Sequence, residues 1–409
     1  MKKEKSACKR VLMLNASHND ERMIQALKEA GCYVITTGNR PELKGHKLAD
    51  KYVFGDYTDM DDMLQLAIKE HVDAVCPCCN EFGVKTAAYV SEKMGFAGQD
   101  PYEVTLTIHD KDRFKMFASL HKEIRTPAST SFDNIDMALD WTAKAQHRYP
   151  LIVKPVDLSA GNGIHRVDNI DELRIYIKEA FEKSRKKRIV IEPFIQGTQH
   201  GFCTFLKQKK VIATCSNNEY SFINPYRVEV DTFPSENVDI VYKELIEQIE
   251  FIAKELNLSD GIFHLQYIFA DDGHAYILEC MRRVLGNLYS VPAEGLGGGY
   301  NWDKWEALTK CNLPIEDMPN RPEQTGYWAY RALIANKNGT FQSVTIPKHI
   351  KEYIYASYML HKPGYSINNF LSDPIGFLFF KFPDANTMKQ ICVEEYSLIT
   401  VDTRENKIV

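Results

Sequence analysis

The residues best suited to chemistry lie in the stretch Gly261–Asn287, GIFHLQYIFADDGHAYILECMRRVLGN. Two apolar runs flank a DDG turn, so the stretch predicts a β-hairpin with Gln266 on one strand and Glu279, Arg282 and Arg283 at the end of the other. Charged groups at the end of a buried strand are costly without a ligand or partner. The set suits a divalent cation held by oxygen ligands, with arginine to take phosphate charge. The alternative is an ordinary hairpin whose charges reach solvent.

A second informative stretch is Tyr149–Val167, YPLIVKPVDLSAGNGIHRV. A predicted strand, Leu151–Val153, carries Lys154 at its end and leads into the loop Ser159–Gly163. A small loop with glycines lets backbone N–H groups approach phosphate oxygens, and the lysine supplies positive charge. The stretch lacks the Walker pattern, because no Gly-Lys-Ser/Thr precedes a helix. Ordinary turn chemistry is the alternative reading of these glycines.

Two further segments are informative. Asp110–Leu120 predicts a charged amphipathic helix with Lys111 and Lys115 on one face. In Ile189–Ile195, IVIEPFI, the proline removes a ladder donor and predicts that the strand ends or bends at a domain junction. Backbone groups freed from a ladder there can pair with the edge of an adenine ring.

Bulk properties exclude several classes of protein. The chain has 409 residues, enough for two or three domains, and its 44% hydrophobic and 26% charged content is ordinary for a globular protein. A net charge of −5 gives no general attraction to nucleic acid or to an anionic membrane. The basic start is followed by too short an apolar run for a signal peptide, and no later stretch approaches a membrane span.

The ten cysteines are scattered without the spacing of a disulfide framework, so we expect a reduced, cytoplasmic protein. Cys76–Cys79 includes a CxxC spacing, which would need a second ligand pair or a following helix N-terminus for metal or thiol chemistry. No second pair with suitable spacing is present. Small residues lining the end of a parallel strand are the more economical explanation.

The elements that must position these residues change in character along the chain. Strands alternating with helices before residue 100 predict a parallel sheet of Rossmann-like topology. The first strand-to-helix turn, Asn15–Asp20, contains no glycine, so the sequence does not support a dinucleotide-binding site in this domain. Val291–Gly299 predicts a glycine-rich loop, and from Thr325 onward strand-like runs alternate with turns.

In their order and spacing, these pieces resemble the ATP-grasp superfamily over nearly the whole chain, in the three-lobed form of biotin carboxylase and the purine-biosynthesis ligases. The resemblance implies an α/β fold with a Rossmann-like N-terminal lobe (1–105), an ATP-grasp α+β core (106–310) and a small β-rich C-terminal lobe (311–409). A mobile lid is expected at about 120–190 within the core.

The resemblance also assigns residues to ATP and Mg²⁺. Lys111 and Lys154 stand at the positions of the two lysines that bind the nucleotide phosphates. The flexible loop over the phosphates corresponds to Ser159, Ala160, Gly161 and Gly163. The adenine linker corresponds to Glu192, Pro193, Phe194 and Ile195. A position near the ribose corresponds to Gln199.

The metal-binding hairpin of the family ends in a pattern like Glu-x-Asn-x-Arg, matched here by Glu279, Met281 and Arg283. The resemblance therefore makes Glu279 and Gln266 the expected metal ligands. Gln266 replaces a carboxylate and Met281 replaces an asparagine. A glutamine still offers a carbonyl oxygen, whereas a thioether is a poor ligand for Mg²⁺.

The implied activity is that of an ATP-dependent ligase that activates a small carboxylate as an acylphosphate for attack by an amine. Arg283 would stabilise the transferring phosphoryl group, and Arg282 would bind the substrate carboxylate. The expected partners are the two small substrates, and a homodimer rests on family analogy alone. The alternatives are a nucleotide-binding sensor or scaffold with impaired chemistry, motivated by Gln266 and Met281, and carbamoyl-phosphate-like activation of bicarbonate.

Overall fold

The computed structural model describes residues 8–144, 148–158, 161–297, 299–315 and 325–405. These residues form a four-stranded sheet near the N-terminus, a second four-stranded sheet, an eight-stranded central sheet and a three-stranded sheet near the C-terminus. Among them, no helix is both long enough and apolar enough to cross a membrane.

The first sheet is parallel, and three of its four strands are largely buried, as expected for strands packed against helices, whereas the edge strand Lys51–Phe54 is partly exposed. Its strands, and the helices that connect and follow them, are β1 (Arg10–Leu14), α1 (Glu21–Glu29), β2 (Tyr33–Gly38), β3 (Lys51–Phe54), α2 (Met60–Lys69), β4 (Ala74–Cys76), α3 (Glu81–Met94), α4 (Tyr102–His109) and α5 (Lys111–Ser119). The strand order is β3-β2-β1-β4. Asp59 and Asn80 cap α2 and α3 by accepting backbone N–H bonds, which explains where these helices begin.

The second sheet belongs to the region predicted as a lid. Its elements are β5 (Thr130–Phe132), α6 (Ile135–Lys144), β6 (Leu151–Pro155), β7 (His165–Val167), α7 (Ile170–Lys183) and β8 (Ile189–Pro193). The antiparallel order is β5-β8-β6-β7. Val153, Leu173, Ile177 and Ile189 form part of a small core that is separate from the other cores.

The central sheet begins with β9 (Gly197–Lys207), β10 (Lys210–Tyr220), β11 (Val230–Phe233), α8 (Val238–Glu255), β12 (Gly261–Ala270) and β13 (Ala275–Met281), and the chain continues through α9 (Ser290–Leu296) and α10 (Trp302–Lys310). One face of the sheet packs on α5 and α8 through residues such as Phe202 and Phe263. The other face joins the core of the first sheet through residues such as Phe205 and Trp305.

The last elements are β14 (Tyr327–Leu333), β15 (Gly339–Thr345), α11 (Lys348–Lys351), β16 (Ile354–Met359), β17 (Ser366–Ile367), β18 (Gly376–Phe382), α12 (Ala385–Lys389) and β19 (Thr400–Arg404). Three of these strands extend the central sheet, whose order is β13-β12-β9-β10-β11-β14-β18-β16. The three-stranded sheet has the order β17-β15-β19.

The predicted fold class is confirmed, because the Rossmann-like sheet, the antiparallel core and the β-rich C-terminal region are all present. The predicted glycine-rich loop after Val291 is wrong, since Ser290–Leu296 is helical. Buried Ala293 and Leu296 anchor this helix in the core, and such packing overrides the low helix propensity of glycine. The domain boundaries themselves remain predictions.

Candidate functional site

A cavity of about 470 Å³ lies between the lid sheet and the central sheet. Its size is typical of small-molecule sites. The lining residues come from the lid, from β9–β13 and from the start of α3, so elements distant in sequence converge on one space. They include most of the predicted site residues: Lys111, Lys154, Gly161, Glu192, Pro193, Phe194, Ile195, Gln199, Gln266, Glu279 and Arg283.

Lys111 begins α5 and reaches across to the hairpin. Its Nζ donates to the backbone oxygen of Leu158 at 2.8 Å and lies 3.0 Å from Glu279 Oε2. Burial alone would lower the pKa of Lys111, but the pairing with Glu279 outweighs it and the pKa is raised. The lysine therefore carries a positive charge between the lid loop and the hairpin.

Lys154 lies at the end of the buried strand β6 and pairs with Glu192 on β8. Lys115 contacts the other oxygen of this carboxylate, at 3.3 Å. Burial lowers the pKa of Lys115 to about 8, and the two lysines hold the pKa of Glu192 below its usual value despite burial. Lys115 was not among the predicted site residues. It supports the site by sharing the carboxylate that fixes Lys154.

The segment Glu192–Ile195 forms one end of the cavity. Phe194 N donates to Pro150 O at 3.0 Å, whereas Ile195 N has no hydrogen-bond partner among the described residues. Apolar side chains from the lid and the hairpin also line the cavity: Ile152, Leu158, Ile268 and Leu278. An apolar slot edged by a free backbone donor suits the ring of a purine base.

The lid loop approaches the central region closely. Gly161 has φ +72°, and a Cβ built there would lie 2.3 Å from the backbone oxygen of Tyr226, so only glycine fits this contact. Gly163, with φ +75°, packs on Pro155 and does not line the cavity. The other two predicted loop residues, Ser159 and Ala160, lie outside the described residues.

The hairpin places Gln266 and Glu279 directly opposite each other on β12 and β13. Both line the cavity beside Lys111. Met281 also lines it, but the Met281 sulfur accepts from Arg283 Nη2 at 3.4 Å. The methionine thus packs against the arginine.

Arg283 faces the cavity from the end of β13. It pairs with Glu81 at the start of α3, with Nη2 at 2.5 Å from Oε1. Although burial opposes ionisation, Arg283 lowers the pKa of Glu81 to about 2, and the pair raises the pKa of Arg283. The guanidinium is charged and held in place.

Arg282 does not reach the cavity, so the predicted contact with a substrate carboxylate needs correction. Its side chain is 1% exposed, and its Nε donates to Asp100 Oδ2 at 2.9 Å. The guanidinium also donates to the backbone oxygens of Ile262 and Ser259, both at 2.6 Å. Both arginines follow β13, which ends at Met281, and from there Arg282 is directed towards Asp100 and Arg283 towards Glu81.

Two acidic residues of the cavity, Glu219 on β10 and Asp231 on β11, were not among the predicted site residues. They are register partners, and Asp231 is in turn opposite Tyr330 on β14. Burial raises the pKa of Glu219 to about 7, and burial together with Glu219 raises the pKa of Asp231 well above its usual value. Asp231 is 2% exposed, and its Oδ1 has no hydrogen-bond partner among the described residues.

Glu219 lies near the C-terminal end of β10, which extends to Tyr220. The polar run SNNEY at the end of an apolar strand is the signal that could have found Glu219. For Asp231, the alternation of apolar and polar residues in VEVDTF predicts only a strand. Which side of that strand faces the cavity is determined by its register with β10.

The donor set fits Mg²⁺ without forming a closed metal cage. Glu279 and Gln266 offer the hard oxygens that this ion prefers. In the described part of the chain, no group of three or more His, Cys, Asp or Glu side chains could hold a metal ion. Mg²⁺ in nucleotide sites is commonly bound by one or two carboxylates together with phosphate oxygens and water, which matches this arrangement.

The family model described as "Phosphoribosylglycinamide synthetase, ATP-grasp (A) domain" matches residues 110–225. The formate-dependent phosphoribosylglycinamide formyltransferase of Prochlorococcus marinus (strain NATL1A) is 28% identical over 189 residues, which is 46% of this chain and 48% of that protein. The chain thus matches about half the length of this curated relative.

Solved structures match over a larger share of the chain. The L-amino acid ligase from Bacillus licheniformis aligns with a TM-score of 0.79 and 17% identity, covering 97% of this chain and 99% of that one. The biotin carboxylase domain dimer of Hydrogenobacter thermophilus 2-oxoglutarate carboxylase, in complex with MgADP, ADP and bicarbonate, aligns with a TM-score of 0.76 and 17% identity, covering 97% and 91%. At these identities, the likeness concerns the fold.

Proposed function

We propose that this chain, which belongs to the ATP-grasp superfamily, is an ATP-dependent ligase that activates a small-molecule carboxylate as an acylphosphate for attack by an amine. The observation that carries the proposal is the convergence of Lys111, Lys154, the Glu192–Ile195 segment and Glu279 on one cavity. The similarity to a formyltransferase and to the fold of an amino acid ligase supports the same class of reaction.

In this proposal, ATP lies with its base at the apolar end of the cavity. Ile195 N is available to the base, and Lys154 and Lys111 would hold the α- and β-phosphates. Glu279 and Gln266 would hold Mg²⁺, which neutralises phosphate charge when bound. The biotin carboxylase structure in complex with MgADP supports this assignment of the nucleotide and the ion.

The chemistry proceeds in two displacements. A substrate carboxylate oxygen attacks the γ-phosphorus, the bond to the β–γ bridging oxygen breaks, and ADP leaves. The amine nitrogen then attacks the acyl carbon, and phosphate leaves with the C–O bond electrons. Arg283, held charged by Glu81, would stabilise the charge of the transferring group. The lid would exclude water that hydrolyses acylphosphates.

The remaining partners follow from the same proposal. The substrates are a small carboxylate and a small amine, and a homodimer is in line with the dimer described for the biotin carboxylase domain. All ten cysteines are free thiols, which supports a reducing, cytoplasmic environment.

The test supplies the full chain with ATP, Mg²⁺ and pools of amino acids and small carboxylates. Hydroxylamine captures any acylphosphate as a hydroxamate, and ADP is measured in parallel. We expect carboxylate-dependent hydroxamate, with kcat/KM lowered about a hundredfold in Glu279→Ala. Glu103→Ala is the matched control, because Glu103 pairs with Arg113 on the surface and is absent from the cavity lining.

The sensor alternative predicts a different result. It requires ATP to bind while no pool yields hydroxamate or ADP above the level without carboxylate. That combination in the wild-type chain would contradict the ligase proposal.

A further inference from the structure

The position at which the family has a metal-binding carboxylate is occupied by Gln266, and this side chain has a fixed partner. Its Nε2 donates to both oxygens of Glu219, at 2.9 and 2.8 Å. Gln199 Nε2 donates to Glu219 Oε2 at 2.6 Å. Two amide groups thus hold the Glu219 carboxylate from β9 and β12.

These contacts determine which way the Gln266 amide points. The amide nitrogen donates to both oxygens of Glu219, so the nitrogen of the amide faces Glu219. The oxygen, Oε1, then lies on the opposite side of the planar amide, and none of the described residues donates a hydrogen bond to it. Glu279 is the register partner of Gln266 on the neighbouring strand, so the free oxygen and the Glu279 carboxylate belong to the same part of the cavity.

Glu219 is able to reach Gln266 because of the strand between them. β9 separates β12 from β10, and its residue opposite Gln266 is Gly201. With no side chain at this point, the space is filled by Asn217 of β10, whose Oδ1 lies 2.4 Å from where a Cβ would stand. A larger residue at position 201 would displace the polar side chains that meet there.

We propose that Glu219 is the positioning residue of the metal site. It turns the Gln266 amide so that its oxygen joins Glu279 as a ligand of the divalent cation. This inference rests on the nucleotide–metal site of the proposed function. It explains how an amide at position 266 can serve the metal site although the family has a carboxylate there.

The test measures the binding of Mn²⁺, in place of Mg²⁺, to the full chain saturated with ADP. Free Mn²⁺ is read by electron paramagnetic resonance, without any carboxylate or amine substrate. We expect Glu219→Gln to weaken Mn²⁺ binding about tenfold or more, the usual effect of removing an outer-shell partner. Because no ligase turnover is involved, the result is independent of whether the proposed reaction occurs.

A double variant separates a role of Glu219 in the metal site from a merely structural role of this residue. Glu219→Gln with Gln266→Glu returns the carboxylate to the hairpin, and we expect Mn²⁺ affinity to recover to within about threefold of wild type. Glu247→Gln is the control, because Glu247 is an exposed residue on α8 paired with Lys243. Wild-type affinity in the Glu219→Gln single variant, or no recovery in the double variant, would overturn the proposal.

Gln266→Leu tests the other half of the inference and does not depend on the folding of the Glu219 variants. It removes the amide oxygen and leaves the Glu219 side chain in place. We expect Mn²⁺ affinity to fall about tenfold. Unchanged affinity would show that the Gln266 oxygen is not a ligand.

Discussion

Two adjacent arginines illustrate how strongly the surroundings of a residue determine its role. Arg283 reaches the cavity and pairs with Glu81, whereas Arg282 is enclosed by Asp100 and by backbone oxygens. Burial would raise the pKa of Asp100, but Arg282 and Lys310 lower it to about 2. The pair of Arg282 and Asp100 is therefore charged and buried, which makes it a structural element with a high cost of disruption.

We expect Arg282→Met to lower the free energy of unfolding by about 3–5 kcal/mol, because it leaves the Asp100 charge buried without its partner. Adding Asp100→Asn should recover part of this loss, since the unpaired charge is removed. Urea unfolding of the two single variants and the double variant measures the effect. Additive losses would show that the two residues do not act as a pair.

Asp231 predicts a pH dependence of stability. Because its pKa is raised in the folded chain, Asp231 retains its proton at pH values where the unfolded chain has lost it. The free energy of unfolding therefore falls as pH rises from about 4 to the folded-state pKa, by up to about 1.4 kcal/mol per pH unit. Asp231→Asn removes this contribution.

The measurement is urea unfolding of wild type and Asp231→Asn between about pH 5 and pH 8. We expect the stability of the variant relative to wild type to increase with pH. Asp133→Asn serves as a control because Asp133 is exposed. A difference that does not change with pH would contradict the protonated state of Asp231 in the fold.

At the scale of elements, the hairpin is the part of the site that the sequence could predict. The DDG turn and the flanking apolar runs specify the hairpin locally. The pairing of Gln266 with Glu279 also requires a register shift between Gln266 and Tyr267, for which the sequence gives no local signal. Glu219 and Asp231 could not be placed in this way. They reach the cavity through the order of β12, β9, β10 and β11, and pairing between strands far apart in sequence leaves no local pattern.

The contact between the lid loop and the β10–β11 loop gives a prediction for the lid. Gly161→Ala would place a Cβ 2.3 Å from Tyr226 O, so the closed position of the lid is disfavoured. We expect the Kd for ADP to rise about tenfold, equivalent to ~1.4 kcal/mol, while the unfolding temperature changes little because the lid has its own core.

Gly95→Ala is the matched control for Gly161→Ala. Gly95 has φ +71° and its added Cβ would meet no atom within 4 Å, so this variant introduces the same backbone strain without the contact. Calorimetric titration of ADP and thermal unfolding compare the two. Equal ADP affinities would mean that the Gly161 contact does not control the lid.

At the scale of the whole molecule, the central sheet joins regions that the sequence suggested were separate lobes. β14, β18 and β16 continue the sheet beyond β11, and Trp328 and Phe377 extend the core shared with the first sheet. The alternation of strands and turns after Thr325 predicted β structure correctly. The alternation could not indicate that these strands share a sheet with the core. That pairing depends on which strand of the core sheet lies at its edge with unpaired backbone groups.

This continuity predicts opposite outcomes for two deletions. Removing the chain after residue 325 leaves β11 without its partner β14 and strips the shared core of Trp328 and Phe377, so we expect no cooperative thermal unfolding.

Replacing residues 129–194 with a flexible Gly-Ser linker removes a sheet that has its own core. The remaining protein should unfold cooperatively but bind ADP at least about a hundredfold more weakly, since Lys154 and Glu192 are lost. Circular dichroism melts and ADP titrations test both variants. A cooperative transition in the first variant, or its loss in the second, would show that the lobes are coupled differently from the sheet order described here.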